Sequence, residues 1–394
     1  MQNNLKAQSK HYDKLLLLRA FACIAVIWSH VYGGQFFVLG KEIPFLYPSG
    51  FAAVFVFFLL SGYTIGLGFA SGKYQITPRS LVKFYINRFI RIAPIYYFAL
   101  LVCIFYLYRE FQFTTEQIVR LFTFTAQQPY IFLRLFPLAI LSTEMQFYVV
   151  APLLFIFIKQ LCKKMPMWFV GYLVFIIGAI IRFVIFLHGG GELSTYVASI
   201  YTTVYGNIDI FLFGMLIAMA VNTNNMKQIF ENGVQSVKKF YPMVLLLWFF
   251  WANFLAYYMS DVVRYEYVKH QILFLLPPVT SLIIGAYILY IGIQQRSTPV
   301  SFSFAKPKEM LTHLFSLRGF LFSLGTLSYG IYIWHYPLLD YLFYRTNADH
   351  TFQAALYRFA IGFPLALLCS LATYICIEYP VNSLRLWLKK TGRL

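Results

Sequence analysis

Runs of roughly 20 apolar residues, separated by short polar connections, recur along almost the whole chain: near 15–33, 48–70, 92–108, 137–158, 167–187, 203–222, 241–259, 271–294, 319–344 and 352–377. Wound as an α-helix at about 1.5 Å per residue, such a run crosses a hydrocarbon layer of about 30 Å. The pattern predicts an all-α polytopic membrane protein, a bundle of about ten transmembrane helices forming one unit over residues 1–394. Two stretches break it. Tyr205, Gly206, Asn207 and Asp209 interrupt the sixth run, and Phe111 to Phe136 reads as an external loop or a re-entrant hairpin. No internal repeat is visible, which weighs against the inverted-repeat plan of many transporters.

Composition agrees: 60% of residues are hydrophobic, 20% aromatic and only 12% charged, outside the soluble range. The net charge of +18 would suit nucleic acid, but the cations fall where membrane orientation puts them. Lys6, Lys10 and Lys14 precede the first run, and Lys73, Arg79, Lys83, Arg88 and Arg91 follow the second. Basic clusters continue in every second connection, at 159–164, 227–239, 296–318 and 385–393. Both termini are therefore expected in the cytoplasm, with the lipid bilayer and no nucleic acid as partner. Ala20 and Ala22 imitate a cleavage site, but they lie inside the apolar run, so a retained signal anchor is expected. The five cysteines form no CxxC pair and read as buried thiols, with no metal site implied.

Ionisable residues inside apolar runs are the candidates for chemistry, because a charge at membrane depth costs a few kcal/mol or more. The first run carries two, in RAFACIAVIWSH from Arg19 to His30. Eleven steps of about 100° bring His30 to within roughly 20° of Arg19, about 16 Å along the axis. One helix face thus offers a cation near one end and an imidazole near the other, spaced to hold a phosphate and meet the far end of an extended carrier such as coenzyme A. Snorkelling to the headgroups is the purely structural alternative for Arg19.

Four further stretches matter. In FFLLSGYTIGLG, Gly62, Gly66, Gly68 and Gly72 suit close helix packing, or Gly62 opens room for a ligand beside Ser61, which lacks a sequence-local base. Arg88 and Arg91 share a face of the amphipathic stretch Lys83–Pro94, which suits either anionic lipid or the phosphates of a nucleotide-bearing substrate. Glu144, in LSTEMQFYVVAP, must be protonated, face water or be paired, for instance with a histidine, Arg182 or Arg358. Tyr329, Tyr332 and His335 lie along one face before Pro337, where an aromatic belt accounts for the tyrosines better than for the histidine. Asp209 and Glu378 are weaker candidates. Counted from the helix flanks, His30, Glu144 and His335 fall in the outer half, Arg19 near the inner face and Ser61 near the middle. The expected site is a funnel that Arg19 and His30 share, cationic within and His/Glu-bearing without.

These segments resemble the acyltransferase-3 family of integral-membrane O-acyltransferases. The resemblance rests on Arg-x10-His at Arg19 and His30, FFLLSGY at Phe57–Tyr63, NRFIRIAP at Asn87–Pro94, STEMQFYVVAPLL around Glu144, GTLSYGIYIWHYPL around His335 and IEYP at Ile377–Pro380, in family order over nearly the full length. It implies a bundle of ten core helices that moves an acyl group, usually acetyl, from cytoplasmic acyl-CoA to a hydroxyl. By resemblance Arg19 and His30 form the essential pair, and Arg88 and Arg91 contribute to acyl-CoA binding. Where many relatives have an Arg before the Asp of the sixth-span motif, this chain has Asn207 before Asp209, and no esterase-like domain follows the last helix.

The resulting expectation is a bacterial inner-membrane O-acetyltransferase acting on a cell-surface glycan. Acetyl-CoA would be bound by Arg19, Arg88, Arg91 and the neighbourhood of Ser61. His30 would serve as general base, with Glu144 and His335 orienting groups or relaying protons. The rival is a transporter of a polysaccharide or its lipid-linked precursor, in which the same side chains line a path without reacting.

Overall fold

The computed structural model describes residues 2–31, 37–38, 41–42, 50–126, 135–188, 196–223, 241–259, 276–295, 307, 316–344 and 352–391. Its α-helices are α1 (Gln2–Val31), α2 (Gly50–Ala70), α3 (Pro78–Val102), α4 (Thr115–Phe122), α5 (Phe136–Lys164) and α6 (Met167–His188), followed by α7 (Ile208–Asn222), α8 (Tyr241–Met259), α9 (Leu276–Gln295), α10 (Leu317–Leu339), α11 (Phe352–Thr373) and α12 (Tyr379–Lys390). Each apolar run of the sequence coincides with a helix. Eight segments are long and apolar enough to cross a membrane, and α8 holds a shorter apolar run, Leu245–Phe254. The chain is a multi-pass, all-α membrane protein. The only strands among the described residues are two-residue ones, Phe37–Val38 paired antiparallel with Lys41–Glu42.

Two details differ from the sequence pattern. α3 starts at Pro78 after an extended Thr77, so the basic stretch Lys83–Pro94 is the first half of the third span and no separate interfacial helix. Proline suits the first turn, where its missing N–H has no partner to lose. Between Phe111 and Phe136 the chain forms α4, started by a reciprocal cap between Thr114 and Gln117. Tyr96 and Tyr97 of α3 hold α4 by donating to the carbonyls of Leu121 and Phe122, at 2.8 and 2.9 Å. The 127–134 part of that connection lies outside the described residues, as do Lys227, Lys238, Lys239, Arg264, Lys269, Arg296, Lys306, Lys308, Arg345 and Arg393.

The centre is built on α2 and α7, each apolar on all sides and 72% buried over its spanning window. Gly62 brings them together: a Cβ there would stand 2.1 Å from the Phe211 carbonyl oxygen. The space beside Gly62 is therefore filled by backbone, and the glycine serves packing rather than a ligand. By contrast α6 leaves Trp168, Tyr172, Phe183 and Leu187 exposed, as a lipid-facing helix does. Its inner face carries Arg182, whose Nη1 and Nη2 donate to the two carboxylate oxygens of Asp209, both at 2.8 Å, with both side chains almost fully buried. Arg182 Nη1 also reaches the Gly206 carbonyl at 3.1 Å. The irregular start of the sixth span is thereby pinned to α6. Asn207 completes the pin by donating to the carbonyls of Ile200, Tyr201 and Thr203.

Candidate active site

α1 and α10 meet along their length, and Gly325 sets how closely. A Cβ at that position would stand 2.2 Å from the Leu16 carbonyl oxygen. One turn further along α10, the Ser328 hydroxyl donates to the Gly325 carbonyl and accepts from Arg19 Nε at 3.1 Å. Beyond it, the His30 ring lies 5.2 Å from that of His335 and 4.9 Å from that of Tyr336, measured between centroids. The guanidinium and the imidazole of α1 thus both face α10, as their spacing requires.

Arg19 lines a central pocket of about 410 Å³ with Phe57, Ser61, Glu144, Ser328 and Tyr332 among its walls. Its guanidinium carbon lies 5.6 Å from the centroid of the Phe57 ring, a cation–π distance. Glu144 accepts two hydrogen bonds here, from the Ser61 hydroxyl of α2 and from the Tyr148 hydroxyl one turn along α5. The neighbouring side chains fix α5 in place: Thr143 donates to the Thr202 carbonyl at 2.6 Å, Gln146 to the Phe124 carbonyl at 2.8 Å, and Phe147 stacks on Phe211 with centroids 4.0 Å apart.

A second pocket, of about 600 Å³, is basic. Lys73, Arg88, Arg91 and Arg385 line it against a single carboxylate, Glu378, with Asn382 buried in its wall. Arg88 lies across two rings, 5.6 Å from Phe84 and 5.5 Å from Tyr148, and its Nε is buried without a hydrogen-bond partner. The two pockets are neighbours, since Arg88 of one and Glu144 of the other both contact Tyr148. Tyr148 joins them, with its ring under Arg88 and its hydroxyl on Glu144.

Three placements differ from the depth count. Glu144 belongs with Ser61 and Arg19 rather than with the histidines, since the Ser61 hydroxyl donates to it and all three line one pocket. Its proposed arginine partners are engaged elsewhere, Arg182 with Asp209 and Arg358 with the Val31 carbonyl at 3.2 Å. Arg19 lines the central pocket, not the basic one that holds Arg88 and Arg91. Nor do Arg19 and His30 share one open funnel. Phe57 and Tyr332, with centroids 6.2 Å apart, stand between them, and the Tyr332 ring packs on His335 at 5.5 Å. The Tyr332 carbonyl lies 2.6 Å from His335 Nδ1. A carbonyl only accepts, so Nδ1 carries the proton, and Nε2 of this fully buried ring is left without a partner.

Sequence reasoning reached Tyr148 and Ser328 only as parts of the resembling segments, Lys73 and Arg385 only as orienting charges, and Asn382 not at all. Tyr148 was detectable as the i+4 neighbour of Glu144, and Glu378, Asn382 and Arg385 recur at helical spacing.

Neither a curated protein nor a solved structure matches the chain. The acyltransferase-3 family model, described as an acyltransferase domain, matches residues 12–375. That match spans the Arg19–His30 face, the central pocket and, in the basic pocket, Lys73, Arg88 and Arg91 but not Glu378, Asn382 or Arg385, and the chain belongs to the acyltransferase-3 family of membrane acyltransferases.

Proposed function

We propose that the protein is a bacterial inner-membrane O-acetyltransferase that takes acetyl from cytoplasmic acetyl-CoA and passes it to a hydroxyl of a cell-surface glycan, an O-antigen, capsule or peptidoglycan sugar. The observation that carries this reading is the adjacency of a four-cation pocket to a pocket holding Arg19, Ser61 and Glu144, with two packed histidines beyond. A donor with a phosphate-rich head and a long narrow arm suits that order of environments.

In this reading Arg88 and Arg91 bind the donor's phosphates through charge-assisted hydrogen bonds. The pantetheine arm runs past Tyr148 into the central pocket. There the Arg19 guanidinium donates to the amide oxygens of the arm. Glu144, held by Ser61 and Tyr148, offsets the Arg19 charge while the pocket is empty. The Phe57 and Tyr332 rings part to admit the thioester, and beside it His30 removes the proton from the acceptor hydroxyl. The hydroxyl oxygen forms the new ester bond, the C–S bond breaks, and the thiol of coenzyme A leaves with a proton. His335, fixed by the Tyr332 carbonyl, orients the hydroxyl or passes the proton on. Both termini then lie in the cytoplasm.

Purified protein in nanodiscs, given acetyl-CoA and assayed for release of the free thiol, tests this directly. Loss of a general base costs about 10²- to 10⁴-fold, so His30→Ala is expected to fall by that amount and Arg19→Ala by at least tenfold. Undiminished turnover in both variants rejects the mechanism.

A further inference from the structure

We infer that the basic pocket reads the donor's phosphates in two separate places: Arg88 and Arg91 on the diphosphate, and Lys73 with Arg385 on the 3′-phosphate of the adenosine. The inference rests on acyl-CoA being the donor and deepens that reading.

The four cations form two pairs, an inner one beside the central pocket and an outer one that includes the exposed Lys73. Arg88 and Arg91 are one turn apart on α3, and Arg88 lies over Tyr148 at the junction with the central pocket. Glu378 lines the same basic pocket. Lys73 is exposed, in the turn between α2 and α3. Arg385 is half-buried on α12, two turns beyond Glu378. Its Nη1 donates to the amide oxygen of Asn87 at 3.2 Å, and the Asn87 amide donates in turn to the Tyr74 hydroxyl at 3.3 Å. These neutral bonds orient the guanidinium without neutralising it. Lys73 lies over the same Tyr74 ring, 5.7 Å from its centroid. Tyr74 and Asn87 therefore gather the outer pair on one side of the pocket.

Coenzyme A carries its phosphates in a matching order. The diphosphate joins pantetheine to the nucleoside, and the 3′-phosphate sits further from the thioester, on the ribose. A terminal phosphate monoester bears about −1.5 to −2 charges near neutral pH, which two converging cations match.

The test is equilibrium binding of CoA and of dephospho-CoA to the full chain in phosphatidylcholine nanodiscs, for wild type, Lys73→Ala/Arg385→Gln and Arg88→Gln/Arg91→Gln. Gln at 385 keeps a donor for Asn87 and removes only the charge. Wild type is expected to favour CoA by about 10- to 100-fold. The outer double variant loses that preference and binds both ligands as wild type binds dephospho-CoA, the inner variant weakens both alike, and Lys73→Arg/Arg385→Lys restores the preference. Equal wild-type affinity for the two ligands, or equal weakening of both by the outer variant, overturns the inference and leaves the donor reading standing. A wild type that binds neither ligand overturns the donor reading itself. With phosphatidylglycerol added, the preference is expected to persist; its disappearance would assign the outer cations to a lipid headgroup and overturn the inference.

Discussion

The Arg88 guanidinium lies 5.5 Å from the centroid of the Tyr148 ring, whose hydroxyl donates to Glu144. One aromatic side chain thus touches the cation of the basic pocket with its face and the carboxylate of the central pocket with its edge. Tyr148→Phe keeps the face and removes the edge contact. A hydrogen bond to a charged group contributes about 1.5–3 kcal/mol, so turnover of acetyl-CoA is expected to fall about tenfold or more while its KM stays near wild type. Steady-state kinetics on the purified variant checks this, and a rise in KM alone would place the hydroxyl in donor binding instead.

The Arg182–Asp209 pair is a structural pin and lines neither pocket. Removing one partner leaves a charge buried and uncompensated, so Asp209→Asn is expected to lower stability by about 3–5 kcal/mol. Arg182→Met/Asp209→Leu, which removes both charges, recovers most of that loss. Thermal unfolding in detergent distinguishes the two, and a double variant less stable than the single one would contradict the assignment.

Gly325 sets the contact between α1 and α10 on which both the Arg19–Ser328 and the His30–His335 pairs depend. Gly325→Ala places a methyl against the Leu16 backbone and is expected to cost about 1–3 kcal/mol of overpacking. Activity should fall more steeply than the folded fraction measured by size-exclusion chromatography. An active, normally stable variant would show that the two helices separate without consequence.

His335 offers a sharper comparison. Asn in its place supplies an N–H for the Tyr332 carbonyl but nothing where Nε2 stands, whereas Gln carries an acceptor near the Nε2 position. If the ring's role is only to brace α10, His335→Asn turns over normally. The proposed role predicts wild-type stability with turnover reduced about 10²-fold, and a smaller loss for His335→Gln.

Much of this was legible in the sequence because the signals are local. Spans follow from apolar length, and the common face of Arg19 and His30 from helical repeat. What stayed hidden depends on packing between distant segments. Ser61 and Glu144 are 83 residues apart and meet only because α2 and α5 cross at that level. Counting depth from helix flanks grouped Glu144 with the histidines, because depth alone does not say which helix α5 faces. Arg182 was offered as a partner for Glu144 and pairs instead with Asp209. The partition of Phe57 and Tyr332 is likewise invisible to periodicity, which gives each ring's face but not the distance between them.

The central claim is that acetyl leaves a donor and stays on an acceptor, and the mass of the surface glycan reports this most directly. Mass spectrometry of the envelope glycan should find acetyl-bearing species in cells with the wild-type protein and their loss in cells with His30→Ala at equal membrane abundance. Glycan that reaches the surface only when the protein is present, yet with unchanged mass, would contradict the account and favour transport.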